Sequence, residues 1–252
     1  MNITSVLAIH AHPDDVEILA GGTLALLADR GHSITIATFT PGDCGSHDQG
    51  SDEIAAVRRR EAASAALQIR AEYLCLEMRD LAIFNDDACR RRATEALRQT
   101  RPQVVLGPSP VDYLCDHETA SVLVRDACFA APLPNYRTAS APIEAIPHLY
   151  FMDPIAGHDR EGRVVQPDFV VDVSATFECK RQMLAEHKSQ REWLRHHHGV
   201  DEYLEEMERW TRERGALAGV SYGEGFRQYR GHPYPQTPLL QDWLRHKTTS
   251  FL

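Results

Sequence analysis

Two short stretches hold most of the side chains that could do chemistry: His10-Ala-His-Pro-Asp-Asp-Val-Glu17 and Pro108-Ser-Pro-Val-Asp-Tyr-Leu-Cys-Asp-His117. Both are dense in histidine and aspartate. A hydrolytic zinc ion usually takes three protein ligands from imidazole and carboxylate and leaves a fourth position for water. His12 and Asp15 stand three apart in a Pro-containing turn, so both can point at one centre. His117 supplies a third ligand from the second stretch. Asp14 then lies beside the ion without being needed as a ligand, and a free carboxylate there can take a proton from bound water. A set of this kind also accepts other divalent ions. The competing reading is structural: Asp14 or Asp15 caps the following helix and His12 is a satisfied polar residue. A second His/Asp stretch in a matching position favours the metal.

The fold must bring the two stretches together. Ser5–His10, Ile34–Phe39, Tyr73–Leu76, Val104–Leu106, His148–Met152 and Phe169–Val173 read as strands. Helices are expected over Gly22–Arg30, from a Ser51 cap to Leu67, and over Asp87–Thr100, His117–Phe129, Ala175–His196 and Asp201–Arg214. The strand–helix alternation predicts an α/β fold: a Rossmann-like, doubly wound, mostly parallel sheet with helices on both faces. Ligands collect at the carboxyl ends of such strands, where the winding reverses, and the first and fourth strands flank that point. The two stretches follow those strands. Residues 1–252 read as one domain, 1–130 forming the Rossmann-like core and 131–252 completing it. Pro132–Pro147 reads as a loop, and the last ~30 residues fit no clear pattern.

The chain has 252 residues, 43% of them hydrophobic, with 27 basic and 36 acidic side chains and a net charge of −9. That balance argues against nucleic acid or an anionic membrane as partner and points to a small molecule, with homo-oligomerisation left open. Thirteen histidines raise the expectation of metal or proton chemistry. The N-terminal apolar run is too short for a signal peptide, and six scattered cysteines without a CxxC pair read as free thiols in a reducing cytoplasm.

Other residues carry two readings each. Asp43 and His47, after the second strand, either touch substrate or only shape their loop. Tyr113 is a hydrogen-bond donor or a packing aromatic. Cys115 is a metal ligand or, as favoured, a plain buried thiol. The histidines 196–198 read as solvated at a helix end, and Tyr203-Leu-Glu-Glu-Met-Glu-Arg-Trp210 as a solvated helix face with Leu204 and Met207 inward. Gly21-Gly22 lacks the surroundings of a phosphate-binding loop, which argues against a nucleotide-dependent enzyme.

AHPDDVE after the first strand, GGTLA behind it, RRREAASAA in the second helix and Asp116-His117 after the fourth strand resemble the PIG-L/LmbE family. FVVDVSATFECKRQMLAEHKSQ and YGEGFR resemble its C-terminal part. The resemblance implies a zinc-dependent de-N-acetylase acting on an amino sugar or aminosugar conjugate, or a related thiol-conjugate amidase. It implies zinc on His12, Asp15 and His117, with Asp14 as general base. Arg58 resembles a substrate-binding arginine, or is a solvated helix residue; His187 resembles a position near the pocket, or lies on a helix surface. With Asp43, Tyr113 and Asp116 they form the candidate substrate-binding set. One position departs: the family's HPDH reads Leu114-Cys115-Asp116-His117, so a leucine stands where the family's histidine resembles an oxyanion stabiliser. Tyr113, then Arg58 and His187, are the expected replacements. A catalytically weak metal-binding protein that recognises a sugar or conjugate is the rival reading.

Overall fold

The β-branched and apolar runs form strands, and the polar-faced segments between them form helices that cover the sheet. The computed structural model describes residues 4–198 and 203–251, and the side chains at 196–198 lie outside this description. In chain order the elements are β1 (Ser5–His10), α1 (Asp15–Asp29), β2 (Ser33–Thr38), α2 (Ser51–Leu67), β3 (Glu72–Cys75), α3 (Asp87–Thr100), β4 (Val104–Gly107) and α4 (Cys115–Ala130). Then follow β5 (His148–Met152), β6 (Phe169–Asp172), α5 (Phe177–Ala185), α6 (Lys188–His198), α7 (Tyr203–Ala218), β7 (Gly223–Gln228), α8 (Leu239–Leu244) and β8 (Thr248–Ser250).

One sheet holds all eight strands in the order β3-β2-β1-β4-β5-β7-β6-β8. The five from β3 to β5 run parallel, as expected of a doubly wound sheet. The sheet is then extended by antiparallel pairing of β7 with β5, β6 with β7, and β8 with β6. Alternate residues of β1 face opposite layers, as the pleat requires. Val6 and Ala8 pack with Leu24, Leu27, Ala65 and Met183 on one face. Leu7 and Ile9 pack with Leu97, Leu123 and Val124 on the other. β1 and β4 are neighbours, so the loops after them open at one sheet edge.

Three expectations need correction. First, α1 begins at Asp15, not Gly22. Gly21-Gly22 looks like a helix breaker but lies inside the helix, because a Cβ at Gly22 would stand 2.7 Å from the Val173 side chain. The glycine permits close helix packing. Second, the single helix expected over 175–196 is two, α5 and α6, parted at Glu186-His187. Third, the C-terminal segment contributes β7, α8 and β8. The expected start of a helix at Asp201 and the solvated reading of the histidines 196–198 lie outside the described residues. Among the described residues no helix is long and apolar enough to cross a membrane. All six cysteines are unpaired.

The YGEGFR segment has a structural task. Glu224 Oε1 accepts from the Gly22 amide at 2.9 Å and from Lys180 Nζ at 2.8 Å, and Oε2 accepts from the Thr23 amide at 2.7 Å. The Lys180–Glu224 pair is 1% exposed at both ends. Removing one partner strands a buried charge. Glu224→Ala is therefore expected to lower unfolding free energy by about 3–5 kcal/mol, read by urea titration. A loss under ~1 kcal/mol would mean that Lys180 finds water or another partner.

Candidate metal centre

The loop between β1 and α1 is held in an unusual backbone shape. Asp14 has φ 98°, a left-handed value rare outside glycine, asparagine and aspartate. From there Asp15 enters α1 and turns its carboxylate back on its own loop. Asp15 Oδ2 accepts from the His12 amide at 2.8 Å and lies 2.7 Å from His10 Nδ1. His12 Nδ1 and His117 Nε2 each lie 3.4 Å from the same oxygen. Ring nitrogens of His10 and His117 and a carboxylate oxygen of Asp15 fall within 4.8 Å of one another. Imidazole nitrogens with a carboxylate oxygen are the donor set of a zinc-type centre, and the buried His10 Nε2 has no hydrogen-bond partner of its own. The residues fit a divalent ion.

The structure brings His12, Asp15 and His117 together and adds His10, which the sequence analysis omitted. It also adds Asp112, whose Oδ1 lies 3.1 Å from His117 Nδ1. Although the far ring nitrogen makes no well-aligned hydrogen bond, the Asp112 charge draws it and so steers the near one toward the centre. Asp116 does the same for His12: its Oδ2 lies 3.0 Å from His12 Nε2 and accepts from the Leu81 amide at 2.7 Å. Asp116 is thus occupied with His12 and the Leu81 amide, and it is not among the residues that line the cleft. Burial opposes the charge of Asp15, but His10 and His117 outweigh it and hold the carboxyl well below its usual range. Burial likewise opposes protonation of His12, yet Asp116 and Asp15 hold its imidazole up at about 10.

Asp14 lines a cleft of about 480 Å³ together with His12, Asp15 and His117. Its Oδ2 accepts from Tyr203 Oη at 2.5 Å, and its Oδ1 lies 3.8 Å from Arg58 Nη2. Burial pushes its carboxyl pKa up, and the Arg58 charge opposes that only in part. Arg58 is buried at 3% exposure, not solvated. It donates to Pro13 O at 2.9 Å and Gly42 O at 3.4 Å, pinning the β1–α1 loop to the loop after β2. Gly42, at φ 77°, leaves room for it: a Cβ there would stand 2.5 Å from the guanidinium.

The remaining expected residues divide. Tyr113 lines the cleft, 64% exposed, its ring edge-on to His117 at 5.5 Å. Leu114 lines it too. Asp43 does not: Oδ2 takes Arg79 Nη1 at 3.0 Å and Oδ1 takes the Asp80 amide at 2.8 Å, so it builds its loop. His187 is buried one layer behind Asp14, its Nε2 3.4 Å from Glu17 Oε1, rather than on a helix surface or in the cleft. Cys115 is exposed, not buried, and stands outside the converging donors. The helix read as a solvated face is not one: Tyr203, Glu206 and Trp210 of α7, spaced i, i+3, i+7, line the cleft, as do Gln190, Trp193 and Leu194 of α6. That spacing was visible in the sequence, but the acidic residues around it masked the stripe.

Residues 7–128 match the family model described as PIG-L, GlcNAc-PI de-N-acetylase. Diacetylchitobiose deacetylase of Thermococcus kodakarensis is 27% identical over 201 residues, 75% of this chain and 71% of that one. 4-Oxalmesaconate hydratase of Pseudomonas putida is 26% identical over 184 residues, 70% of each chain. The solved structure of N,N'-diacetylchitobiose deacetylase from Pyrococcus horikoshii superposes with a TM-score of 0.77 at 26% identity, over 94% of this chain and 89% of that one. The His/Asp loops after β1 and β4 both lie inside the segment that matches the PIG-L family model, and the fold is shared with a diacetylchitobiose deacetylase over nearly the full length of the chain.

Proposed function

We propose that the chain is a metal-dependent hydrolase that removes an N-acyl group, in the first place N-acetyl, from an amino sugar or aminosugar conjugate. The observation that carries this is Asp14: a buried carboxylate in the same cleft as His12, Asp15 and His117, its Oδ2 held by Tyr203 rather than by those histidines. His117 and Asp15, with His12 or His10, would hold the ion; zinc is the first expectation. When bound, such an ion polarises an acyl carbonyl and makes a neighbouring water acidic. Asp14 takes the proton as the water oxygen adds to the carbonyl carbon. Its raised pKa suits a base that must hold a proton for part of the cycle. The C–N bond then breaks and the same proton passes to the departing nitrogen, giving a carboxylic acid and an amine, which at neutral pH become carboxylate and ammonium.

Relatedness to a hydratase supports a second reading, addition of water across a carbon–carbon double bond, which needs the same base. The lining of the cleft favours the amide. A neutral N-acetyl sugar finds acceptors for its hydroxyls in Asp80 and Glu206 and aromatic walls in Trp193, Trp210 and Tyr203, and Arg58, which could clamp a substrate carboxylate, is spent on backbone carbonyls.

The test is to incubate metal-loaded protein with N-acetylglucosamine, its disaccharide and N-acetylglucosaminyl conjugates, and to measure acetate and primary amine together. Equal release of both is expected from at least one. No release from any, with metal bound, would sink the hydrolase reading. Hydration of 4-oxalmesaconate without amine release would transfer the chain to the second one.

A further inference from the structure

Leu114 cannot donate a hydrogen bond, so the cleft lacks one polar group that the HPDH pattern would place there. Its wall supplies another from an element outside the family-matched segment. Tyr203, the first residue of α7, donates through Oη to Asp14 Oδ2 at 2.5 Å. The bond crosses the cleft, linking residues 189 apart in sequence. Asp14 needs such an anchor. It caps α1 without making the side-chain bond a cap usually makes, so its carboxylate is not tied to its own helix. Arg58 does not take that role: its Nη2 stays 3.8 Å away and donates to Pro13 O.

We propose that Tyr203 is the positioning residue of this site: its phenol fixes one oxygen of Asp14 so that the other is presented to the attacking water. The proposal rests on Asp14 being the base. Displacing a catalytic group by about 1 Å commonly costs ~10²-fold in rate. The phenol holds its proton firmly, since burial and then the Asp14 charge raise its pKa well above the ordinary value. It donates to Asp14 throughout the cycle without titrating itself. The ring also packs beside Phe177, Leu184 and Met207, a role that phenylalanine would keep.

Tyr203→Phe separates the two roles. Expected is a ~10- to 10²-fold fall in kcat with KM within about 2-fold of wild type, and unchanged metal content and melting temperature. The double variant Asp14→Asn/Tyr203→Phe is expected to be no slower than Asp14→Asn alone, because residues that act through one group are not additive. A Phe variant with wild-type kcat, a loss confined to KM, or full additivity in the double variant would overturn the assignment. A wild type that releases no acetate from any N-acetyl sugar sinks the hydrolase reading itself. An active wild type with an unaffected Phe variant sinks only the role given to Tyr203.

Discussion

Asp14→Asn is expected to retain its metal and to lose ~10²–10⁴ in kcat, the usual cost of removing a general base. The substitution is as gentle as chemistry allows. Asparagine keeps the shape and tolerates the left-handed backbone at this residue, where φ is 98°. Its amide oxygen can still accept from Tyr203 Oη, so the bond across the cleft survives. What disappears is the ability to take a proton. Asp15 is untouched, and its oxygen still faces His10, His12 and His117. Metal content by elemental analysis and turnover by acetate release are read on the same preparation. If the Asn variant loses its ion, Asp14 is a ligand and the two aspartates exchange roles. If it keeps both ion and rate, the base lies elsewhere in the cleft, with Glu206 next in line.

How much of this was legible in the sequence follows from what each residue depends on. His12, Asp14 and Asp15 share one turn, and His117 follows the strand that the common doubly wound order pairs with the first; that topology brings them together. His10 was hidden because it closes an apolar strand and reads as its last inward residue, although its ring reaches Asp15 at 2.7 Å. Asp112 was hidden because a carboxylate five residues before His117 shows no helical or strand spacing; only the loop geometry turns it onto the ring. Tyr203 was hidden because the break between α5 and α6 and the placing of α7 decide what faces the cleft, and neither leaves a local mark. Arg58 was visible as a candidate, but its burial is a tertiary fact: Gly42 makes the space. The antiparallel end of the sheet was illegible for a similar reason, since β7 and β8 are held by pairing with β6 and, for Glu224, by a buried lysine and two helix amides.

His117→Ala is expected to abolish stoichiometric metal binding, and with it all turnover. Its Nε2 faces Asp15 and its ring is almost wholly buried. Asp112→Asn tests the aim of the same ring. A carboxylate behind a ligating histidine is typically worth ~10- to 100-fold in metal affinity, so chelator competition is expected to show a loss of that size with the ion still bound at saturation. The third ligand is decided by comparing His12→Ala with His10→Ala. His12 stands at the cleft, with Asp116 on its far nitrogen, the arrangement of a ligand supported from behind. His10 is fully buried and donates its contact to Asp15, the arrangement of a support. His12→Ala is therefore expected to lose the ion, and His10→Ala to weaken it. The proton count adds an independent check. In the metal-free protein Asp116 and Asp15 overcome burial and hold the His12 imidazole at about 10, so it is protonated at neutral pH. A ligand must be neutral, so binding through His12 releases a proton and metal affinity rises with pH up to that value. Full metal content in His12→Ala would remove His12 from the ligand set and leave His10, Asp15 and His117 in its place.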